Sequence, residues 1–224
     1  MMLSKRLQAI ASCIDKDVIL ADIGSDHAYI PCALAKAKMI KKAYACDVNE
    51  GPLENARKTI ARYGVGEKVE AIRCNGLAGI GEDTEEIIIA GMGFDTIQTI
   101  LEDSYEKLRH YKKIIVQSNH DVKRLREWIS ERSFTIIEEK LVWEGFYYQI
   151  ICFRFDENAK KLSEEACEYG VLLREDPLYP AFLGHQMKKI DEILEQLSPK
   201  HEKYTLFQQK RDQILRKIAE ANKL

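Results

Sequence analysis

The sequence predicts an α/β fold, in which five β-α units on a parallel sheet are closed by an antiparallel hairpin and followed by a helical hairpin. Short apolar runs alternate with helical patterns over the first two-thirds of the chain, as they do in parallel sheets. Only residues 143–145 separate the last two apolar runs, too few for a crossover helix, so these two strands should pair antiparallel. Heptad-like spacing follows near the C-terminus.

Each strand is expected where a short apolar run ends in glycine or polar residues. The predicted strands are residues 18–23, 43–47, 69–74, 86–90, 113–117, 135–142 and 146–155. The predicted helices between them are residues 28–37, 51–63, a stretch around 97–101, and 121–131. The second of these helices starts with Pro52 and ends before Gly64, which matches the usual preferences at helix ends.

The chain changes character after Asp156, where the apolar runs end. Beyond an irregular polar segment, apolar residues recur at steps of three and four over residues 183–197 and again over 204–218, with Pro199 between them. This pattern predicts an antiparallel helical hairpin or coiled coil. The periodicity alone favours a structural or oligomerising role over an arm that holds a large substrate. The predicted domains are residues 1–156 and residues 157–224.

The composition is that of a soluble globular chain. Of the 224 residues, 46% are hydrophobic and 31% are charged, which excludes a wholly disordered chain. The formal net charge of -2 gives no global positive field for nucleic acid, although a local basic face is compatible with it. No apolar stretch approaches the roughly 18–20 residues that span a bilayer, and the N-terminus lacks the apolar core of a signal peptide. We therefore expect a cytoplasmic protein.

The cysteines predict reduced thiols and no metal site. No two of the six form a C-x-x-C pair, and several lie in apolar runs, where a thiol behaves as a small hydrophobe. Zinc sites, in contrast, need clustered ligands.

Polar and glycine-rich clusters follow the predicted strands at their carboxyl ends. These clusters are residues 22–27, residue 47, and residues 75–77, 91–93 and 117–120. In an open parallel sheet, ligands bind beyond the carboxyl ends of the strands, so a ligand site is expected at this edge.

The first of these clusters distinguishes between nucleotide ligands. A dinucleotide needs G-x-G-x-x-G, and only Gly24 of that pattern is present. Asp47 can accept both hydroxyls of a ribose, but its position 25 residues after Asp22 is common to both ligand classes. Asp22 would repel a pyrophosphate and suits a cation. The cluster therefore favours S-adenosylmethionine, which carries a sulfonium and an amino group.

Each of these residues also has a purely structural interpretation. Asp22 could cap the next helix or tie down the turn, and Asp47 could be an ordinary turn residue. His27 could be a structural hydrogen-bonding group. Met92 between two glycines fits a close approach to a ligand better than it fits packing. The basic residues at 123–126 could be a solvated helix face.

At these positions the sequence resembles the TrmK-type bacterial tRNA (adenine-N1)-methyltransferases, which act on adenine 22 of tRNA. The matching stretches are residues 4–7, 22–31, 47 with 51–52, 75–77, 90–93, 117–119 and 126–128. The resemblance implies a class I methyltransferase with a Rossmann-like sheet and a C-terminal coiled coil, and it favours a substrate arm for the tail. The chain departs from the family at Asp47, where glutamate is common, at Phe94, where glycine is common, and at Ser118, where proline is common. These departures bear on the positioning of ribose and substrate.

The resemblance also implies site residues. The implied contacts to the cofactor are Asp22, Gly24, Ser25, Asp47, Asn75, Gly76, Gly91 and Met92. Adenine N1 is a neutral nucleophile, so catalysis needs a base held in line with the methyl group and groups that tolerate positive charge. The candidates for these roles are Asp26, His27, Tyr29 and Asn119. Tyr29 could stack on a base turned out of the tRNA fold, while Asp26 or Asn119 could hold its exocyclic amine. The candidate RNA contacts are Arg6, Lys123, Arg124 and Arg126.

The predicted function is methyl transfer from S-adenosylmethionine to N1 of adenine 22 in tRNA, with tRNA as the partner and with no membrane or stable protein partner. A methyltransferase of a small molecule or a protein is the enzymatic alternative. A non-catalytic RNA-binding module with the same fold is the alternative from another class.

Overall fold

A single seven-stranded sheet organises the computed structural model, which describes residues 3–221. The strands are β1 (Ile19–Ile23), β2 (Lys42–Asp47), β3 (Val69–Arg73), β4 (Glu86–Met92), β5 (Lys113–Ser118), β6 (Phe134–Trp143) and β7 (Tyr147–Phe155). Their order in the sheet is β3-β2-β1-β4-β5-β7-β6. The first five strands run parallel, and β7 lies antiparallel between β5 and β6. This arrangement confirms the predicted fold class.

The helices also follow the predicted pattern closely. They are α1 (Lys5–Ala11), α2 (Tyr29–Lys36), α3 (Glu50–Tyr63), α4 (Phe94–Asp103), α5 (Tyr105–Leu108), α6 (Val122–Ser130), α7 (Glu164–Tyr169), α8 (Tyr179–Gln196) and α9 (Tyr204–Ala221). Sequence reasoning did not assign α1, α5 or α7, because helices of four to seven residues are too short to show a period. The connection between β3 and β4 contains turns and an isolated bridge from Asn75 to Ala78 instead of a helix.

Both faces of the sheet are buried, which explains the continuous apolar runs within the central strands. Ile88 and Ile115 pack into one core beneath α1, α2 and α3. Ile87, Ile89 and Val116 pack into the other core, together with residues of α4 and α6. A strand covered on both faces has no solvent side, so its sequence shows a continuous apolar run rather than an alternating one.

The contacts divide the chain into two compact units, the first ending at Val171 and the second beginning at Leu172. Helix α7 belongs to the first unit because it packs against α6, where the Arg126 guanidinium donates a hydrogen bond to the Cys167 carbonyl at 3.2 Å. Sequence reasoning placed the boundary earlier, after Asp156, where the strands end. The contacts group the intervening segment with the sheet.

In the second unit, α8 and α9 pack against each other as the predicted hairpin. Leu183, Ile190 and Ile214 are the buried apolar residues of this spacing pattern. An ion pair joins the two helices, with Arg211 Nε at 2.6 Å from Asp191 Oδ1. Of the helices at residues 3–221, none combines the length and the apolar character that crossing a membrane requires.

Candidate functional site

The turn that follows β1 has a backbone conformation that suits glycine. Gly24 has a φ of +75°, and the amides of Gly24 and Ser25 both donate to the Cys46 carbonyl of β2 at 2.8 Å. A Cβ at Gly24 would overlap the end of the Met92 side chain. Ala28 also adopts a left-handed conformation, with a φ of 52°, which costs an alanine roughly 1 kcal/mol. Backbone strain of this kind clusters at functional sites.

Asp22 lies buried at the base of this turn. The Ser25 hydroxyl donates to its Oδ2 at 2.7 Å, so Asp22 does tie down the turn. It does not cap the next helix, because the residue at the start of α2 is Ala28 and no side chain caps that helix. Burial raises the pKa of Asp22 to about 6, against the opposing effect of the Ser25 hydrogen bond.

Within residues 3–221, Gly24 lines two cavities that open at the carboxyl edge of the sheet. The larger, of about 600 Å³, lies beyond β1, β2 and β3 and beside α4. The smaller, of about 260 Å³, surrounds the turn between β1 and α2. Of the predicted cofactor contacts, the larger cavity is lined by Gly24, Asp47, Asn75, Gly76 and Met92, and the smaller by Asp22, Gly24 and Ser25. Gly91 lines neither of these two cavities.

Asp47 both fixes the turn after β2 and lines the larger cavity. Its Oδ1 accepts the Asn49 amide at 2.8 Å, so Asp47 does have the structural role in the turn that its position suggested. The adjacent Val48 is 50% exposed and lines the same cavity. An acidic acceptor thus lies beside an apolar surface, the combination that a nucleoside requires.

Asp26, His27 and Tyr29 all line the smaller cavity. His27 Nε2 lies 3.3 Å from Asp26 Oδ2. The His27 and Tyr29 rings are stacked, with centroids 4.9 Å apart and an interplanar angle of 9°. Tyr29 is 42% exposed, so this aromatic pair offers a face to a planar ligand.

Asn119, the fourth catalytic candidate, joins the ends of β4 and β5. Its side-chain amide donates to the Gly91 carbonyl at 2.7 Å and accepts from Gln117 Nε2 at 3.1 Å. Its backbone amide donates to the Met92 carbonyl at 2.8 Å. These bonds hold the loop after β4 against β5, so the geometry gives Asn119 a structural task at the site.

Arg6, predicted to contact RNA, lies in the wall of the smaller cavity. Its Nη1 donates to Gln117 Oε1 at 2.6 Å, and its guanidinium lies 5.4 Å from the centre of the Tyr148 ring. The Glu144 carboxylate accepts the backbone amides of Lys5 and Arg6 at 3.1 and 3.2 Å, which anchors the start of α1. Sequence reasoning missed this role of Glu144, which is separated from Arg6 by 138 positions.

The prediction that Arg126 contacts RNA is wrong. The residue is completely buried. Its guanidinium donates to Glu139 Oε1 at 2.7 Å, to Gln149 Oε1 at 2.7 Å and to the Cys167 carbonyl at 3.2 Å. A side chain that joins α6, β6, β7 and α7 in this way has no access to a phosphate.

Lys123 and Arg124 lie near the surface, but both are already paired. Lys123 lies within 3.2–3.7 Å of three glutamates of α6 and α7. Arg124 Nη1 lies 2.8 Å from Asp95 Oδ1, and its guanidinium lies 4.7 Å from the centre of the Phe94 ring. A phosphate would have to compete with these carboxylates, and the predicted RNA contacts of these two residues stay predictions.

One cluster of possible metal ligands occurs within residues 3–221. The ligand atoms of Cys13, Glu138 and Cys152 lie within 4.8 Å of one another. Lys140 Nζ lies 2.8 Å from Glu138 Oε1, so the carboxylate already has a cationic partner. The hydrogen bond with Cys13, followed by burial, raises the pKa of Cys152 and favours the neutral thiol. These contacts describe an ion pair beside two thiols.

The chain matches known methyltransferases over most of its length. Residues 3–151 match the sequence profile of a methyltransferase domain family. The tRNA (adenine(22)-N(1))-methyltransferase of Bacillus subtilis is 30% identical over 190 residues, which cover 84% of this chain and 77% of that protein.

Solved structures also match almost the whole chain. Sp1610 of Streptococcus pneumoniae has a TM-score of 0.90 and 33% identity, covering 97% of this chain and 100% of that one. TrmK of M. capricolum, solved with S-adenosyl-homocysteine, has a TM-score of 0.84 and 31% identity, covering 98% and 99% of the two chains.

Proposed function

We propose, since this chain belongs to the TrmK-type family of class I tRNA methyltransferases, that it transfers a methyl group from S-adenosyl-L-methionine to N1 of adenine 22 in bacterial tRNA. The observation that carries the proposal is a pair of cavities that share Gly24 in their linings, one lined by Asp47 and the other by Asp22 and Arg6. A ligand with a nucleoside at one end and an amino acid at the other fits this arrangement.

The residues of the two cavities suit the parts of S-adenosylmethionine. Asp47 would accept the ribose hydroxyls, and Val48 would cover one face of the adenine ring. In the smaller cavity, Asp22 would hold the amino group and Arg6 the carboxylate of the methionyl end. When bound, the cofactor supplies an electrophilic methyl group on a sulfonium. Because Arg6 is held beside this cavity, we propose it as a cofactor contact in place of an RNA contact.

The chain's own residues position the acceptor and stabilise the charge that develops on it. Adenine N1 needs no base before it attacks, but the ring becomes cationic as the new bond forms. Asp26 would accept a hydrogen bond from the exocyclic amine and stabilise that charge. The His27 and Tyr29 rings would stack on the extruded base and keep N1 in line with the methyl group.

The proposed substrate is a folded tRNA, and we propose a cytoplasmic location for the protein because that is where such a substrate occurs. We propose the α8–α9 hairpin as an arm that contacts the body of the tRNA. We also propose Lys123 and Arg124 as contacts to tRNA phosphates. When tRNA binds, these two side chains would leave their carboxylate partners and pair with phosphates. Affinity for tRNA should therefore fall steeply with added salt.

The function is tested with cofactor labelled on the methyl group and an unmodified tRNA transcript. We expect label in 1-methyladenosine at position 22, and none in a transcript that carries guanosine there. Label in a small metabolite but never in tRNA would establish the enzymatic alternative. A failure to bind S-adenosylmethionine in calorimetry would establish a non-catalytic module.

Asp26→Ala should lower kcat by about 10- to 100-fold, because one hydrogen bond to a charged group is worth about 1.5–3 kcal/mol. The Kd of S-adenosylmethionine should change less than about twofold, because the assigned role of Asp26 is toward the acceptor. Asp103→Ala, which removes an exposed carboxylate at the far end of α4, is the control and should leave both values unchanged. Unchanged turnover in folded Asp26→Ala protein would exclude this role.

The affinity for S-adenosylmethionine should depend on the ionisation of Asp22. With a pKa of about 6, this carboxyl is mostly neutral at pH 5, and a cationic ligand selects its ionised form. The Kd measured by calorimetry should therefore be about tenfold weaker at pH 5 than at pH 7 and level off above pH 7.

Asp22→Asn is the matched control for this pH dependence. It should bind more weakly at pH 7 and show a flat profile over the same range. A pH profile that keeps its slope in Asp22→Asn would assign the titration to another group.

The raised pKa of Asp22 also affects the stability of the free protein. The free energy of unfolding decreases as the pH rises from about 4 to 6, because over this range the native state retains a proton that the unfolded chain has released.

A further inference from the structure

Two aromatic side chains are exposed together at the tip of the β6–β7 hairpin. Phe146 is 72% exposed, more than any other large hydrophobic residue between positions 3 and 221. Trp143, three residues before it, is 43% exposed. A single exposed apolar side chain is ordinary, but two large aromatic residues on one short turn form a patch of the kind that marks a binding site.

The tip lies at the same edge of the sheet as the two cavities. Strand β7 is antiparallel to both β5 and β6, so β6 runs in the direction of the first five strands and ends at their carboxyl edge. The Glu144 amide donates to the Phe146 carbonyl at 3.0 Å, and the Glu144 carboxylate holds the amide of Arg6. Arg6 in turn lines the smaller cavity, so a short series of contacts connects the tip to the site.

The turn presents these rings on a defined backbone. Gly145 has a φ of +76°, which fixes a tight turn between the strands. Trp143 pairs with Tyr147 across the hairpin, and their ring centroids lie 4.7 Å apart at an interplanar angle of 51°. Ordering part of the patch before binding reduces the entropy cost of binding a planar ligand.

We propose that Trp143 and Phe146 form a nucleobase-stacking site, separate from the aromatic pair that would stack on the target adenine, for an unpaired base of the tRNA near that adenine. The inference rests on the proposed function. Turning the target base out of its stack leaves neighbouring bases without a stacking partner, and aromatic side chains accept any base because every base has a flat π face.

The Glu144 carboxylate lies in the turn but is occupied by two backbone amides, so the cation beside the rings is the charge that favours RNA over a protein partner. The amide of Lys5 is bound by Glu144, and the Lys5 side chain is exposed beside the turn, where it can meet a backbone phosphate. Aromatic rings flanked by a cation are the usual components of sites for single-stranded nucleic acid.

Phe146→Ala should weaken tRNA affinity and raise KM for tRNA about tenfold while leaving the Kd of S-adenosylmethionine unchanged. Phe146→Trp keeps a flat ring and should retain wild-type values. Phe146→Leu keeps apolar bulk without a π face and should behave like Phe146→Ala. Wild-type KM in both the alanine and the leucine variants would overturn the stacking site.

Fluorescence provides a readout without turnover. The chain has two tryptophans, and Trp128 is only 3% exposed, so tRNA should quench the emission of Trp143 alone. Trp143→Phe should abolish the quenching and retain most of the affinity. Quenching that persists in Trp143→Phe would contradict the proposal. The alternative occupant is a second copy of the chain, which sedimentation of the wild type and Phe146→Ala tests. A wild-type dimer that becomes a monomer in Phe146→Ala would assign the patch to a dimer interface.

These outcomes separate the inference from the proposed function. If the wild-type protein methylates adenine 22 and the Phe146 variants match it, only the stacking site fails. If the wild type neither binds nor methylates tRNA, the proposed function fails and the stacking site fails with it.

Discussion

Asp47→Ala is expected to weaken the binding of S-adenosylmethionine about 100-fold. Two ribose hydroxyls donating to one carboxylate form charge-assisted hydrogen bonds, and losing both costs about 3 kcal/mol, which corresponds to that change in Kd. Calorimetry at pH 7.5 measures the effect directly. The affinity for tRNA in the absence of cofactor should be unchanged, because Asp47 lines the larger cavity and not the proposed RNA surfaces.

Two further substitutions distinguish the effect of losing the ribose contact from the effect of disturbing the turn that Asp47 stabilises. Asp47→Asn retains an oxygen that can accept the Asn49 amide, so it preserves the turn and removes only the charge. It should lose about tenfold in affinity, because one neutral acceptor replaces a charged one. Asp47→Glu restores the residue common in the family and should bind within about threefold of wild type, a difference below 1 kcal/mol. Near-wild-type affinity in Asp47→Ala would place the ribose elsewhere.

Arg126→Met is expected to destabilise the protein by about 3–5 kcal/mol, because it leaves the buried Glu139 carboxylate without its cation. For a domain of this size, the melting temperature should fall by roughly 10 °C. Urea unfolding followed by circular dichroism gives the free energy. Arg57→Met, which removes an exposed arginine paired with Glu50, is the control and should cost less than about 1 kcal/mol.

The double variant Arg126→Met/Glu139→Gln tests the cause of that loss. The glutamine has no charge to bury and can still accept the Val171 amide, which bonds to Glu139 at 2.6 Å. We expect it to recover at least half of the lost stability. If Arg126→Met instead kept full stability and lost tRNA affinity, the result would support the prediction from the sequence that Arg126 contacts RNA.

The strands of the sheet and the main helices were predictable because their signals are local. The continuous apolar run of β4 and the Pro52 and Gly64 at the ends of α3 each depend on residues a few positions apart. The placement of polar clusters at one edge also follows from the sequence, because parallel strands share a carboxyl edge. Gly24, Asp47 and Met92 meet at the larger cavity for this reason.

The roles of the arginines were not predictable in the same way. In the sequence, Arg126 resembles its neighbours Lys123 and Arg124 on a basic helix face. Only the structure brings Glu139 and Cys167 against it, from 13 and 41 positions away. A charge is buried or solvated according to what the rest of the chain packs around it, and no local pattern contains that information.

Local patterns along the chain predicted the fold class, the sheet edge at which polar groups gather and the residues that reach it, because periodicity, glycines and strand ends depend on neighbouring residues. Only the folded chain shows that Arg6 lines a cavity while Glu144 accepts its backbone amide, and that Arg126 is buried. It also shows that Phe146 is exposed at the same edge of the sheet. Those outcomes depend on burial and on partners distant in the chain, which exist only once the chain has folded.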